Sequence, residues 1–484
     1  MNSNELSRKV GNAAKWSTIT EVSAKIIVPV TNMILARLLA PEAFGVVTII
    51  TMVISFAAIF SDAGFQKYLV QHEFKDEDDR NKSTNVAFIT NLTIALVLWG
   101  LIILFRNPIA SAVGNPDLGL ALAIVCVQIP LISFSSIQMA RYMREFDFKT
   151  LFMVRIIAAL IPLAVTVPLA MIGFGYWSLI IGTTCGILSN AIILTAKSKW
   201  KPRLYYNFAL LKEMFSFSFW SLLEAVSVWF SLWVDALIIG YAFNEYYLGL
   251  YKNSLNMVNA FMAVVTASII PILFSALSRL QNDEVKFQAM YYKTQRLVAL
   301  LVLPMGFGIF LYSDLATKIM LGSQWTEASH IIGIWALVAA FGILFSNFNG
   351  EAYRSKGKPR LSFIYQIIHL VFLIPTCLIS MRYGFWPLVY ARSLIRFQGT
   401  ITGFIFMRVF MGFSIKAMLG NVVKPLVCTL LMGFVAVGLQ QISSAVIWSF
   451  ISIVICVAVY GGLLWIIDRN GIGEIIKLFK KKSL

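Results

Sequence analysis

The feature that most limits what this 484-residue chain can fold into is a series of apolar runs, each about 20 residues long, repeated from one end to the other. A run of that length spans a hydrocarbon layer about 30 Å thick when helical. Composition agrees: 59% of residues are hydrophobic and 13% charged, about half the charged share of a soluble domain. The chain reads as an all-α polytopic membrane protein. Fourteen spans are predicted, at roughly 15–39, 43–65, 83–105, 118–140, 151–172, 175–196, 215–240, 246–275, 293–313, 327–348, 361–380, 385–407, 418–438 and 444–467.

The loops between these runs alternate in charge. KDEDDRNK, RYMREFDFK, KSKWKPR, RLQNDEVKFQ, YRSKGKPR and the tail KLFKKKSL form a basic set; APEA, GFG, FNEYY, RYGF and QQISS form a nearly neutral one. The positive-inside rule then predicts that both termini are cytoplasmic. The formal charge of +17 is therefore topological, and it gives no reason to expect nucleic acid as a partner. The basic tail 468–484 suits contact with anionic membrane lipids, as an interfacial helix or a disordered segment. The opening MNSNELSRKVGNAAKW lacks the short apolar core of a cleavable signal. Five scattered cysteines and three separated histidines have no metal-ligand or disulfide spacing. No metal or cofactor is expected.

The two halves echo each other. Lys15-Trp16-Ser17 aligns with Phe219-Trp220-Ser221 at an offset of 204 residues, and Gly45 in LLAPEAFG aligns with Gly249 in AFNEYYLG at the same offset. Polar stripes recur too: Thr18, Glu21, Lys25 and Asn32 in the first span, and Glu224, Ser227, Ser231 and Asp235 in the seventh. A duplication of this kind predicts two pseudo-repeated lobes around a central hydrated cavity. The expected division is 1–204 for the first lobe, 205–410 for the second, 411–467 for two further spans, and 468–484 for the tail.

Charges inside the spans are the candidate site. Each costs about 2.5–3.5 kcal/mol at a helix centre, so they should face one another or water. Arg392 and Arg396 in YARSLIRFQ lie one turn apart on one helix face and repel. Two readings follow: an anion such as phosphate visits the pair, or Glu224 or Asp235 neutralises it permanently. Glu21 and Lys25 have the spacing of an ion pair, structural or gating. Arg155 and Lys252, each near a span end, can snorkel or join the cationic cavity. Glu224 and Asp235, eleven residues apart on nearly one face, are counter-ions or acids that bind a coupling H+ or Na+. Prolines at 29, 130, 162, 168, 271, 304 and 375 permit kinks.

Several stretches resemble a known family. ILARLLAPEAFGVV, IFSDAGFQKYLVQ, ASIIPILFSALSRLQND, YYKTQRLVALLVLPMGFG and NGEAYRSKGKPR are similar to segments of bacterial polysaccharide (lipid-linked oligosaccharide) flippases of the multidrug/oligosaccharidyl-lipid/polysaccharide exporter superfamily. The resemblance implies a V-shaped fold of fourteen helices whose lobes alternate access to the cavity. It also implies a polyprenyl-pyrophosphate-linked oligosaccharide as cargo, flipped to the outer leaflet of the bacterial inner membrane, with a polymerase and chain-length proteins as candidate partners. Family members carry cationic cavity residues, a type that Arg392, Arg396 and Lys25 match; Arg155 and Lys252 are further candidates for the cavity.

Two rival readings stand beside it. A cation-coupled small-molecule exporter of the same superfamily predicts an acid-dominated cavity, whereas basic groups here match or outnumber the acids. A membrane enzyme acting on the same lipid-linked sugars needs catalytic groups at the outer face, where the longest loops offer Arg106, Asp117, Asp314, Lys318 and little else. A transporter, not an enzyme, is expected.

Overall fold

Segments with no water to bond to close their own backbone hydrogen bonds, and every regular element among the described residues is helical. The computed structural model describes residues 27–62, 65–198 and 200–468, together with Trp16, Ile19, Thr20 and Ser23. By its internal contacts the chain divides into Met1–Lys252 and Asn253–Leu484. The first unit contains α1 (Ile27–Leu38), α2 (Pro41–Asp62), α3 (Phe65–Gln71), α4 (Glu77–Leu104), α5 (Arg106–Ala112), α6 (Gly119–Val125), α7 (Gln128–Arg144), α8 (Phe148–Met171), α9 (Tyr176–Lys197) and α10 (Phe208–Ala242). Helix α11 (Glu245–Arg279) carries the boundary. The second unit continues with α12 (Glu284–Leu311), α13 (Ser313–Met320), α14 (Ala328–Gly342), α15 (Phe348–Ser355), α16 (Pro359–Ser380), α17 (Phe385–Met411), α18 (Ile415–Gln440) and α19 (Val446–Ile467). This partition follows contacts; the lobe boundary predicted at residue 204 follows the repeat and remains a proposal.

Among the described residues, twelve helical segments are long and apolar enough to cross a membrane. Of the other two predicted spans, the first is described only as the shorter apolar α1, and the eighth lies in the 35-residue α11. Two spans differ in detail from their prediction. The fourth is broken at Cys126–Val127 into α6 and α7, so that Pro130 falls in the first turn of α7, where its missing N–H is not needed. The tenth runs on past 348, through a π-turn at Ile343–Asn347, to Ser355.

Exposure sorts the helices by solvent. α8, α16 and α19 are little enclosed by protein, and large side chains such as Met171, Val371 and Ile466 stand outward on or beside them, as a hydrocarbon environment allows. The segment containing α14 is the most enclosed of the twelve. In the first unit α9 lies against α8 through Gly182 and Gly186. A Cβ on Gly182 would fall 1.9 Å from Thr166 Oγ1, and one on Gly186 would fall 2.8 Å from the Ala158 carbonyl. This small-xxx-small spacing lets two membrane helices approach closely.

The duplication is visible in the helix ends. α1 stops at Leu38 and α10 at Ala242; α2 starts at Pro41 and α11 at Glu245, so both pairs keep the 204-residue offset. The repeated glycines meet across these ends. A Cβ on Gly45 would lie 1.8 Å from the Glu245 carbonyl oxygen, and one on Gly249 would lie 1.9 Å from that of Pro41. Since Pro41 and Glu245 are themselves equivalent, the contact maps onto itself, as a two-fold interface does. Only glycine permits backbones so near. Gly249→Ala should therefore lower the thermal unfolding midpoint in detergent, at a cost of about 1–3 kcal/mol. Gly308→Ala, where an added methyl meets nothing within 4 Å in α12, should be neutral or stabilising by up to ~1 kcal/mol.

Candidate functional site

In the second unit α17 packs on α14, and this packing brings both predicted arginines over one side chain. The Arg392 guanidinium carbon lies 5.4 Å from the centre of the Trp335 ring and that of Arg396 4.1 Å. Trp335 is 2% exposed and Arg392 5%. The indole is fixed in turn, because its Nε1–H donates to Asn259 Oδ1 of α11 at 3.2 Å. Arg396 also reaches Gly342 at the end of α14: a Cβ there would sit in ordinary contact, 3.4 Å from Arg396 Nη1. Two cations about 6 Å apart repel by roughly 3 kcal/mol at an effective dielectric of 20. Two partly desolvated cation–π contacts return about 1–2 kcal/mol each. The terms are of one size, so the indole offsets most of the repulsion.

The π-turn follows Gly342 directly. Widening a helix turn displaces carbonyls from their usual partners, and here buried amides meet them. Gln295 Nε2 donates to the Leu344 carbonyl at 3.2 Å, and Asn349 Nδ2 to that of Phe345 at 2.7 Å. Tyr291 Oη–H donates to Asn349 Oδ1 at 2.6 Å. The Tyr365 hydroxyl lies where a Cβ on Gly399, one turn beyond Arg396, would come within 2.7 Å. The arginine face of α17 thus continues into a polar seam. Sequence reasoning missed Trp335, Asn259, Tyr365 and the π-turn. Their residue types are ordinary in apolar segments, and no spacing ties them to YARSLIRFQ.

The acids of the first unit are placed differently. Asp235 is 1% exposed. Its Oδ2 accepts from Tyr251 Oη–H at 2.9 Å, and its Oδ1 stands 3.8 Å from Lys252 Nζ. Lys252 turns inward, donating to the Leu232 carbonyl at 2.6 Å and covering the Trp233 ring at 4.5 Å. It does not snorkel, because a buried carboxylate and a π face lie within its reach. Asp235 and Lys252 thus stand as an ion pair at 3.8 Å between α10 and α11. Glu224 lies on α10, but its side chain falls outside the described residues, as do Glu21 and Lys25 altogether. Arg155 is exposed on α8.

A cavity of about 640 Å3 opens in the first unit, lined by aliphatic side chains and by Thr51, Ser55, Gln128 and Thr183. Leu222 and Ala225 on either side of Glu224 also line it. Ser55 Oγ accepts from Trp229 Nε1–H at 3.0 Å, and Gln128 Nε2 donates to Thr184 Oγ1 at 2.7 Å.

Among the described residues, an all-helical fold with twelve membrane-length segments, holding Arg392 buried and Arg396 half-buried on one helix, defines a polytopic membrane protein. The family described as polysaccharide biosynthesis protein matches residues 34–330, more than half of the chain, and this chain belongs to it. The succinoglycan biosynthesis transport protein ExoT of Rhizobium meliloti is 27% identical over 70% of this chain and 67% of its own length. The teichuronic acid biosynthesis protein TuaB of Bacillus subtilis is 21% identical over 90% of each chain. A solved structure of the lipid II flippase MurJ in an inward closed conformation superposes with a TM-score of 0.76 at 16% identity, covering 95% of this chain and all of that one. The last likeness is one of fold.

Removing one partner of the Asp235–Lys252 pair leaves an uncompensated buried charge. Asp235→Ala should destabilise the protein by about 3–5 kcal/mol, and Asp235→Asn combined with Lys252→Met should recover much of the loss. Thermal unfolding of the purified variants measures both.

Proposed function

We propose that this protein is a flippase that moves a polyprenyl-pyrophosphate-linked oligosaccharide from the cytoplasmic to the outer leaflet of the bacterial cytoplasmic membrane by alternating access. The observation that carries the reading is the Arg392–Arg396 pair held over Trp335 in a membrane fold. A guanidinium binds phosphoryl oxygens bidentately, and two of them one turn apart suit the two phosphoryl groups of a diphosphate. The chemistry needs no bond making. Cargo and coupling ion have only to bind the inward and outward states with different affinity. Membership of a polysaccharide biosynthesis family and relatives named as transport and biosynthesis proteins for succinoglycan and teichuronic acid support this cargo class. The positive-inside pattern supports cytoplasmic termini. A central cavity between two lobes, an H+ or Na+ coupling ion, and association with a polymerase and chain-length proteins belong to the same proposal.

Asp235 already faces a tethered cation, so within this proposal Glu224 is the acid assigned to coupling. Arg392→Ala/Arg396→Ala should abolish flipping while membrane-inserted protein stays at wild-type level, with completed lipid-linked oligosaccharide accumulating on the cytoplasmic leaflet. Normal surface polymer from that variant would remove the anion site from the mechanism. Glu224→Gln should make transport insensitive to the pH or sodium gradient; retained gradient dependence would take the coupling role away from Glu224.

A further inference from the structure

We propose that Trp335 is the positioning residue of the arginine pair: its buried indole holds Arg392 and Arg396 side by side so that both address a single diphosphate. The proposal rests on the flippase reading, because it takes that diphosphate to be the cargo's. Three observations carry it. One ring lies within cation–π distance of both guanidinium carbons, at 5.4 and 4.1 Å, although the two charges repel along their shared helix. The ring has a fixed azimuth, since Asn259 on a third helix accepts its Nε1–H. Arg396 also reaches the end of the helix that carries Trp335, where a Cβ on its last residue, Gly342, would make ordinary contact with Arg396 Nη1 at 3.4 Å. Stacking engages the face of a guanidinium, whereas its N–H groups point outward in the plane. An indole below the pair therefore orients donor edges without competing for the ligand.

A packing role alone would need only a large apolar side chain at 335. A positioning role needs an aromatic one, because the ring quadrupole holds the cations. Binding of inorganic pyrophosphate to the purified full-length protein in detergent separates the two, with thermal midpoints recorded for every variant. Trp335→Leu should weaken binding by about ten- to a hundredfold, and Trp335→Phe should recover most of the affinity. Arg392→Ala/Arg396→Ala should lose binding altogether. If the arginine variant loses binding while Trp335→Leu binds like wild type, the positioning role is overturned and the anion site stands. If the arginine variant also binds normally, the site and the proposal fall together. Asn259→Leu provides a second reading should Trp335→Leu not survive purification, since it frees the indole without removing it. Weaker pyrophosphate binding by that variant supports the assignment, and wild-type affinity overturns it.

Discussion

Hydrocarbon offers no hydrogen bonds, and the rest of this structure depends on that fact. It makes each apolar run a helix, because an open strand or loop would leave peptide groups unmet at several kcal/mol each. The same rule governs exceptions within the helices. Where α14 widens into a π-turn, Gln295 and Asn349 donate to the displaced region, and Tyr291 completes the network. Polar side chains at these places meet an obligation that the backbone creates.

Charges obey the rule more severely, and the two units meet it in different ways. In the first, Asp235 and Lys252 answer each other, with Tyr251 and the Leu232 carbonyl filling remaining positions. That arrangement is closed: donor and acceptor are matched within two neighbouring helices. In the second, two like charges lie within cation–π distance of one indole. That indole, within reach of both guanidinium groups, eases their repulsion. Two guanidinium forks one turn apart suit a diphosphate, and that donor set is why the second unit carries the functional proposal.

Close approach of backbones is the other organising device. Gly182 and Gly186 bring α9 onto α8, and Gly45 and Gly249 bring equivalent helix starts together. The second contact is self-complementary under the 204-residue offset, which a chance resemblance between halves does not produce.

Much of this was legible in the chain before any coordinates. Run length dictates membrane helices, and the offset of Gly45 and Gly249 marks the repeat, because each is a local or periodic property of sequence. The arginine pair was legible for the same reason: one helical turn sets its spacing. Partners were not. Whether Lys252 reaches water or Asp235, and which ring lies beneath Arg392 and Arg396, depends on how helices pack in three dimensions. Trp335 precedes Arg392 by 57 residues, and no rule of spacing links them. Tertiary structure decided those contacts, because a membrane helix fixes which residues share its own face but leaves its neighbours to be chosen by packing.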